Sequence, residues 1–247
     1  MRYLFEIAYD GSNYHGWQRQ ENAITVQEVV EEALTTICQE TISVTGSGRT
    51  DTGVHCRQQF FHADIDKKIK PQKLMFRLNS YLPADIAIYA IKKIKPEAHA
   101  RFDATQRAYE YYITTLKSPF KTGYTYYFSK PLDIKTMNEA AALLEGEKDF
   151  QAFSKVKTEV NNFICNITQA EWRQEGELIT FHISANRFLR GMVRAIVGTL
   201  LEVGQHKLSV KEFKQVMDSK DRRKAGAAAP AAGLFLTAVE YPTDIFE

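Results

Sequence analysis

The sequence predicts an α+β fold built from two successive βαββαβ halves. Strand-like alternation and helix-like periodicity follow one another in the same order twice, and breaks containing glycine and proline separate the segments. The chain has 247 residues, of which 44% are hydrophobic and 25% charged, so it is long enough for one large or two small globular domains. We expect one half at residues 1–100 and the other at 101–247, each with an antiparallel sheet and helices on one face.

The first half contains six predicted elements. Residues 2–9 alternate as a strand, and Thr25 with Glu28 forms the capping pattern that begins a helix. The apolar side of this helix consists of Val26, Val29, Val30, Ala33, Leu34, Ile37 and Cys38. The later segments are a short strand at 42–45, a loop with three glycines at 46–53, a strand near 55–63, a helix between Pro71 and Pro83, and a strand near 86–94.

The second half repeats this order. Its elements are a strand near 106–116, a helix after Asp133, strands near 163–173 and 178–185, a long helix near 187–203, and a final strand near 234–241. An additional helix begins at Ser209, which has Glu212 as its capping partner. Two such halves are ferredoxin-like, a topology that serves many unrelated functions and therefore does not define one.

Charge is unevenly distributed along the chain. The formal net charge is only +2, but residues 85–130 carry 8 basic and 4 acidic side chains, and residues 187–224 carry 10 and 4. If these two stretches meet in the fold, they form a basic cleft between the halves that can follow a phosphate backbone. Two separate solvated faces are the alternative.

Several classes of protein are disfavoured. The uncharged stretch 225–237 is mostly Ala and Gly, and charged side chains interrupt the apolar run 188–203, so neither predicts a membrane span. The N-terminus lacks the apolar run of a secretory signal, and we expect a cytoplasmic protein. The three cysteines (Cys38, Cys56 and Cys165) and the six histidines show no metal-binding spacing, so we expect reduced thiols and no metal.

The densest polar cluster is the loop GSGRTDTGVH at 46–55. Asp51 is its candidate catalytic residue. Arg49 can hold the Asp51 carboxylate ionised, as a nucleophile or general base must be, and can itself contact phosphate. The glycine spacing matches neither common type of nucleotide-binding loop. The alternative is that Asp51 only stabilises the turn.

Three arginines near residue 190 form a second candidate group. Arg187, Arg190 and Arg194 have the i, i+3, i+7 spacing that predicts one helical face. The apolar residues expected opposite them are Leu189, Val193, Ile196 and Leu200. The arginine face either binds phosphates or a buried carboxylate, or is simply solvated.

A third group lies on the first strand of the second half. Strand alternation places Arg107, Tyr109 and Tyr111 on one face, and Glu110 and Tyr112 on the other. A tyrosine at this position either stacks on a nucleic-acid base or packs into the core.

Two further segments have open interpretations. Residues 10–20 mix aromatic, amide and basic groups, and they form either a flexible nucleic-acid contact or a packed surface loop. Residues 227–236 have small side chains that permit close approach of another backbone, and a plain linker is the alternative.

Five segments, in order along the chain, resemble motifs of the TruA family of tRNA pseudouridine synthases. They are YDGSNYHGWQRQ (9–20), GSGRTDTGVH (46–55), RAYEYYI (107–113), FLRGMVRAIVGTLLEVG (188–204) and AAPAAGLFL (228–236). The resemblance implies that the chain converts uridine to pseudouridine at positions 38, 39 and 40 in the anticodon stem-loop of tRNA. It also implies a homodimer that needs no organic cofactor and no metal.

The same resemblance implies roles for individual residues. Asp51 matches the catalytic aspartate, and Tyr109 matches the tyrosine that packs against the target base. Arg194 matches the arginine that pairs with the aspartate, while Arg49 would contact the RNA near the flipped nucleotide. The expected substrate-binding set is Tyr109, Arg49, Arg194, Arg107 and Leu234.

Two other functions are compatible with parts of the sequence. A non-catalytic RNA-binding or chaperone protein on the same fold would also use the basic stretches. Phosphoryl transfer would use the glycine-containing loop, but that loop lacks a lysine and a second carboxylate beside Asp51.

Overall fold

The structure is a computed structural model, and it describes residues 1–155 and 162–247. It is a mixed α+β structure in which the strands pair almost entirely antiparallel. The chain divides into two compact units, the first consisting of Met1–Gln106 with Leu236–Glu247 and the second of Arg107–Phe235. The final strand therefore joins the first unit from residue 236 onwards.

The first unit contains the predicted strand and helix order. Its elements are β1 (Arg2–Tyr9), α1 (Val26–Cys38), β2 (Val44–Gly46), β3 (His55–Asp64), α2 (Pro71–Tyr81) and β4 (Ile86–Lys93). Strand β1 lies between β3 and β4 and is antiparallel to both, and β2 pairs with β3. The sequence analysis correctly predicted each of these six elements to within two residues of its ends.

Strand β1 is buried on both faces, although its sequence alternates. Phe5 stacks on Phe61 of β3 with ring centroids 4.7 Å apart. Leu4, whose side chain points to the other face, belongs to a small core with Ile94 and Ile245. The residues just after β4 and those near the C-terminus thus cover the face of the sheet opposite the helices.

Helix α1 forms where the capping pattern predicts it. The Thr25 side chain accepts a hydrogen bond from the Glu28 amide at 3.4 Å, which satisfies one of the free amides of the first turn. The predicted apolar side is buried at Val26, Val30, Ala33, Leu34 and Ile37. This burial packs the helix against the sheet of the first unit.

Within residues 107–155 and 162–235, the second unit contains eight further strands and α-helices, followed by the last strand. They are β5 (Gln106–Thr114), β6 (Tyr126–Tyr127), α3 (Ile134–Ala141), β7 (Gly146–Asp149), β8 (Ile164–Glu175), β9 (Leu178–Ala185), α4 (Met192–Gly204), α5 (Val210–Asp218) and then β10 (Leu234–Glu240). The strand order is β5-β9-β8-β7, and β6 pairs with β5 in parallel. The predicted capping box of α5 is confirmed, because Ser209 and Glu212 bond reciprocally.

The prediction that Arg187, Arg190 and Arg194 share one helical face is wrong. Helix α4 begins only at Met192, and the cap residue Gly191 has φ 70°, in the left-handed region that a continuing helix cannot use. Two of the three arginines therefore precede the helix. The expected apolar residues are all buried, namely Leu189, Val193, Ile196 and Leu200.

Two histidines of the first unit, the buried His62 and the half-buried His99, have pKa values below the ordinary one. His62 Nδ1 accepts the Ala100 amide hydrogen at 3.0 Å, and the His62 ring lies 4.8 Å from that of His99. Burial, assisted by Arg2 and His99, lowers the pKa of His62 to about 4. Burial also lowers the pKa of His99.

We expect the free energy of unfolding to fall as the pH decreases from about 6.5 to about 4. In this window the unfolded chain protonates His62 near its ordinary pKa of 6.5, whereas the folded chain does not protonate it until about pH 4. Unfolded molecules therefore bind more protons, and acid favours them.

Urea titrations at pH 7 and pH 5 measure this effect. The variant His62→Asn keeps an acceptor for the Ala100 amide but cannot titrate, so its stability should change less between the two pH values. His206→Asn, at an exposed position, is the matched control. Equal pH dependence in wild type and His62→Asn would contradict the assignment.

Candidate active site

The loop between β2 and β3 carries Asp51 on a tight turn. The Asp51 carbonyl accepts a hydrogen bond from the Val54 amide at 3.1 Å, and Gly53 has φ 75°. Asp51 is half-buried, its neighbour Thr50 is buried, and Arg49 is exposed. The carboxylate therefore lies at the boundary between the protein interior and solvent, with an arginine on the solvent side.

A network of buried hydrogen bonds anchors this loop to strands β1 and β3. The hydroxyls of Thr50 and Tyr9 lie 2.8 Å apart, and Tyr9 donates to Gln59 Oε1 at 3.2 Å. Because the Tyr9 proton goes to Gln59, the Thr50 hydroxyl is the donor to Tyr9. The Ser47 amide donates to the Phe60 carbonyl at 2.7 Å. These bonds fix the backbone on both sides of Arg49.

The loop at residues 9–20 packs directly on the Asp51 loop. The Trp17 amide donates to the Thr50 carbonyl at 3.3 Å, and the Gly53 amide donates to the Tyr14 carbonyl at 3.2 Å. Trp17 and Tyr14 are both buried. Of the two interpretations left open by the sequence, the structure supports the packed loop.

Glycine is required where these two loops meet. Gly16 has φ 87°, and a Cβ at this position would lie 2.3 Å from the Thr50 carbonyl oxygen. A Cβ at Gly11 would lie 2.0 Å from the Val54 carbonyl oxygen. A Cβ at Gly46 would meet the Trp17 indole. These glycines allow one loop to approach the other.

Polar contacts hold the other side of the 9–20 loop. The buried His55 Nδ1 lies 3.2 Å from the Gly11 amide and 3.1 Å from Asp10 Oδ1. The Tyr14 hydroxyl donates to Asp85 at 2.6 Å. Burial and this hydrogen bond raise the pKa of Tyr14, so it remains a neutral donor.

Tyr109 lies in the middle of β5, in the second unit. It is half-buried, pairs with Ile183 of β9, and contacts the Phe188 ring edge-to-face at 5.1 Å. Two residues earlier, Arg107 donates to the Asn186 carbonyl at 2.8 Å. The aromatic ring of Tyr109 is thus positioned by a second ring, a contact that the sequence analysis did not anticipate.

Tyr111, two residues after Tyr109, is a core residue. It is fully buried, and its hydroxyl donates to the Pro230 carbonyl at 2.8 Å. Burial raises its pKa. A Cβ at Gly233 would lie 2.8 Å from the Tyr111 ring, so this glycine permits the contact.

Arg194 is held by the chain segment that precedes β10. Its Nε donates to the Ala229 carbonyl at 2.6 Å, and the Ala229 amide donates to the Arg194 carbonyl at 2.9 Å. One turn later, a Cβ at Gly198 would lie 1.7 Å from the Ala227 carbonyl oxygen. The small residues at 227–236 therefore do allow close backbone approach, and the segment is not a plain linker.

The candidate residues fall into two sets. Asp51 and Arg49 share a loop of the first unit. Tyr109, Arg107, Arg194 and Leu234 belong to the second unit, where Leu234 is buried at the start of β10. The sequence analysis did not identify the supporting partners Tyr9, Gln59, Phe188 and Ala229, since each lies far along the chain from the residue that it holds.

All three cysteines lie among the described residues, and burial raises the pKa of each thiol. The three cysteines are free, and burial raises the pKa of Cys56 well above its ordinary value and that of Cys165 to about 11. Within residues 1–155 and 162–247, no group of three or more His, Cys, Asp or Glu side chains is placed to hold a metal ion.

Over the same residues, every helix is too short or too polar to cross a lipid bilayer.

Comparisons with known proteins agree on one family. The family model described as tRNA pseudouridine synthase matches residues 7–103 and 140–242. The protein named tRNA pseudouridine synthase A of Bacteroides fragilis is 51% identical over 248 residues, which cover 100% of this chain and 98% of that protein. The protein of the same name from Porphyromonas gingivalis is 48% identical, with 99% of each chain covered.

More distant relatives have the same name. The tRNA pseudouridine synthase A of a Thermoanaerobacter species is 40% identical over 240 residues, covering 96% of this chain and 98% of that one. A chain in the crystal structure of a Cbf5-Nop10-Gar1 complex matches 95% of this chain and 49% of its own length, with a TM-score of 0.38 and 13% identity, too distant to support any inference. The family model and the full-length relatives show that the chain belongs to the tRNA pseudouridine synthase family, as the TruA-like motifs indicated.

Proposed function

We propose that the chain converts uridine to pseudouridine at positions 38, 39 and 40 of the anticodon stem-loop of tRNA. Membership in the family makes it an isomerase that acts on tRNA. The observation that carries the proposed chemistry is Asp51 itself, while the positions 38, 39 and 40 rest on the resemblance to the TruA motifs. It lies in the motif GSGRTDTGVH, half-exposed, on a loop that buried hydrogen bonds fix from below.

The proposed reaction is an isomerisation that needs no oxidant, reductant or metal. The bond between C1′ and N1 breaks, the uracil rotates, and C5 bonds to C1′. The proton of C5 is lost, and N1 gains one, so atoms and electrons balance. An ionised Asp51 either attacks C1′ or removes the 2′ proton to allow the first bond to break.

The other candidates bind and orient the nucleotide. We assign Tyr109 to packing against the target uracil, and its edge-to-face contact with Phe188 supports this role by fixing the ring. Arg194 pairs with the catalytic carboxylate, and its bond to Ala229 supports this assignment by fixing the guanidinium plane.

Three further residues complete the proposed substrate contacts. Arg49 contacts RNA near the flipped nucleotide, consistent with its exposed position. Arg107 and Leu234 contribute to uridine binding, Leu234 as an apolar wall.

The target uridine lies in or beside a helical stem and must leave its stack. Extrusion costs a few kcal/mol, which stacking and pocket contacts offset. Double-stranded RNA hides its base edges from side chains, so shape and phosphate contacts select the substrate. This agrees with modification at three neighbouring positions.

We also propose two ferredoxin-like halves, 1–100 with the catalytic loop and 101–247 with the tyrosine strand and the arginine helix, and a basic cleft between them. The pairing order β4-β1-β3-β2 in the first unit supports the topology, as does β5-β9-β8 in the second. The basic stretches at 85–130 and 187–224 support the cleft. The proposed working form is a cytoplasmic homodimer.

Replacement of Asp51 by asparagine should abolish product formation while leaving the fold and tRNA binding intact. The amide has the same shape but cannot act as a nucleophile or base, so the rate should fall at least about 100-fold. Mapping of pseudouridine in unmodified tRNA, without added cofactor or metal, measures this.

Asp66→Asn, an exposed aspartate after β3, serves as the control. Substantial turnover by Asp51→Asn would refute the catalytic assignment. Binding without product from the wild-type protein would instead favour a non-catalytic RNA-binding protein.

Replacement of Gly16 by alanine should lower both stability and activity. The methyl group would overlap the Thr50 carbonyl, and the left-handed backbone penalises a side chain, so the free energy of unfolding should fall by about 2 kcal/mol or more. The displaced Thr50 would also move Asp51.

Gly48→Ala is the matched control, since a Cβ there meets nothing within 4 Å. Urea unfolding and the rate at saturating tRNA separate the two effects. Wild-type stability and rate in Gly16→Ala would show that the loop packing does not position Asp51.

A further inference from the structure

Residues 115–130, between β5 and α3, place several large apolar side chains in solvent. Phe120 is 94% exposed, and Leu116, Tyr124 and Tyr127 are each about half exposed. In the described part of the chain, this one segment holds four of the eleven large apolar residues that are exposed. Clustered exposure of this kind marks an interaction surface.

The segment is ordered, and the sheet anchors it. Strand β6 pairs in parallel with β5, with Tyr126 opposite Ile113. The Phe128 amide donates to the Thr114 carbonyl at 2.9 Å, which closes the segment at its base. A 3-10 turn at Pro119–Lys121 and the bond from the Tyr124 amide to the Lys121 carbonyl at 3.1 Å hold its tip. These bonds hold the backbone at Phe120, which reduces the entropy lost on binding.

The charge of the segment suits a polyanion. Residues 115–130 contain three lysines and no aspartate or glutamate. Lys121 follows Phe120 directly, and Lys117 lies three residues before it. Aromatic rings on which bases stack, combined with cations that follow the phosphates, are the usual means of binding single-stranded nucleic acid.

A protein partner fits the segment less well. Aromatic residues are enriched at protein interfaces, but lysine is depleted there. In a symmetric dimer built on this segment, the lysines of one copy would face those of the other. The interleaved lysines therefore favour RNA over a second copy of the chain.

We propose that this segment, residues 115–130, is a second contact surface for the tRNA substrate. On it, Phe120 stacks against an unpaired base while Lys117 and Lys121 contact phosphates. The surface is separate from the uridine site, because Thr114 lies five residues beyond Tyr109 along β5, about 17 Å at the usual rise. The proposal rests on tRNA being the substrate, and not on Asp51 or positions 38–40.

Binding of full-length unmodified tRNA to the whole protein tests the proposal. Phe120→Ala should weaken the equilibrium affinity about fivefold or more, and Phe120→Trp should retain it, because stacking requires a ring. A plot of the logarithm of the association constant against the logarithm of the salt concentration has a negative slope. The double variant Lys117→Ala, Lys121→Ala should make this slope shallower by about 1.4. Phe76→Ala, which removes a similarly exposed ring from α2, is the control and should bind normally.

Kinetics and sedimentation distinguish the remaining outcomes. Phe120→Ala should also lower kcat/KM for tRNA about fivefold or more, in step with its loss of affinity. Unchanged affinity in Phe120→Ala would overturn the proposal, and so would its dissociation into monomers, which would identify a protein interface. Failure of the Asp51 assignment would be seen separately, as product from Asp51→Asn, and would leave these binding results unaffected.

Discussion

The Asp51 loop depends on backbone contact with residues 9–20, which lie about forty positions earlier in the chain. Gly16 lies against the Thr50 carbonyl at a distance that admits no side chain, and the Trp17 amide bonds to the same oxygen. Thr50 is therefore held from both its backbone and its hydroxyl. Asp51 is the next residue, so its backbone position follows from this packing, and its carboxylate can remain exposed without the loop becoming free to move.

The second unit uses the same physical device around Arg194. Ala229 and Arg194 exchange hydrogen bonds, and Gly198 admits the Ala227 carbonyl against the helix. In both units, small residues let one backbone lie against another beside a candidate site residue. Close backbone packing of this kind costs little side-chain entropy and holds the backbone of the candidate residue in place.

Residue periodicity and capping patterns predicted most of the strands and helices, because both signals depend only on residues close together in the sequence. They failed at Gly191, a left-handed residue that directly precedes α4, whereas the arginine spacing had extended the predicted helix back to Arg187. They also missed β6 and β7, which are two and four residues long and too short to show a period. Motif resemblance selected Asp51 and Tyr109, but the residues that hold them, such as Tyr9 and Phe188, are distant in sequence and emerge only when the strands pair.

If Asp51 is the catalytic residue, as proposed, the packing of its loop bears on how the target uridine reaches it. The backbone around Thr50 is held by the 9–20 loop, so on this proposal the RNA, and not the loop, deforms to bring the uridine to Asp51. Contacts elsewhere on the tRNA can then add to the stacking and pocket contacts that offset the cost of extrusion, because binding of non-reacting parts of a substrate can offset distortion at the reacting centre. The proposed surface around Phe120 would supply part of that free energy. On this proposal, a rigid loop at the reacting nucleotide and binding contacts to other parts of the tRNA act together in one mechanism.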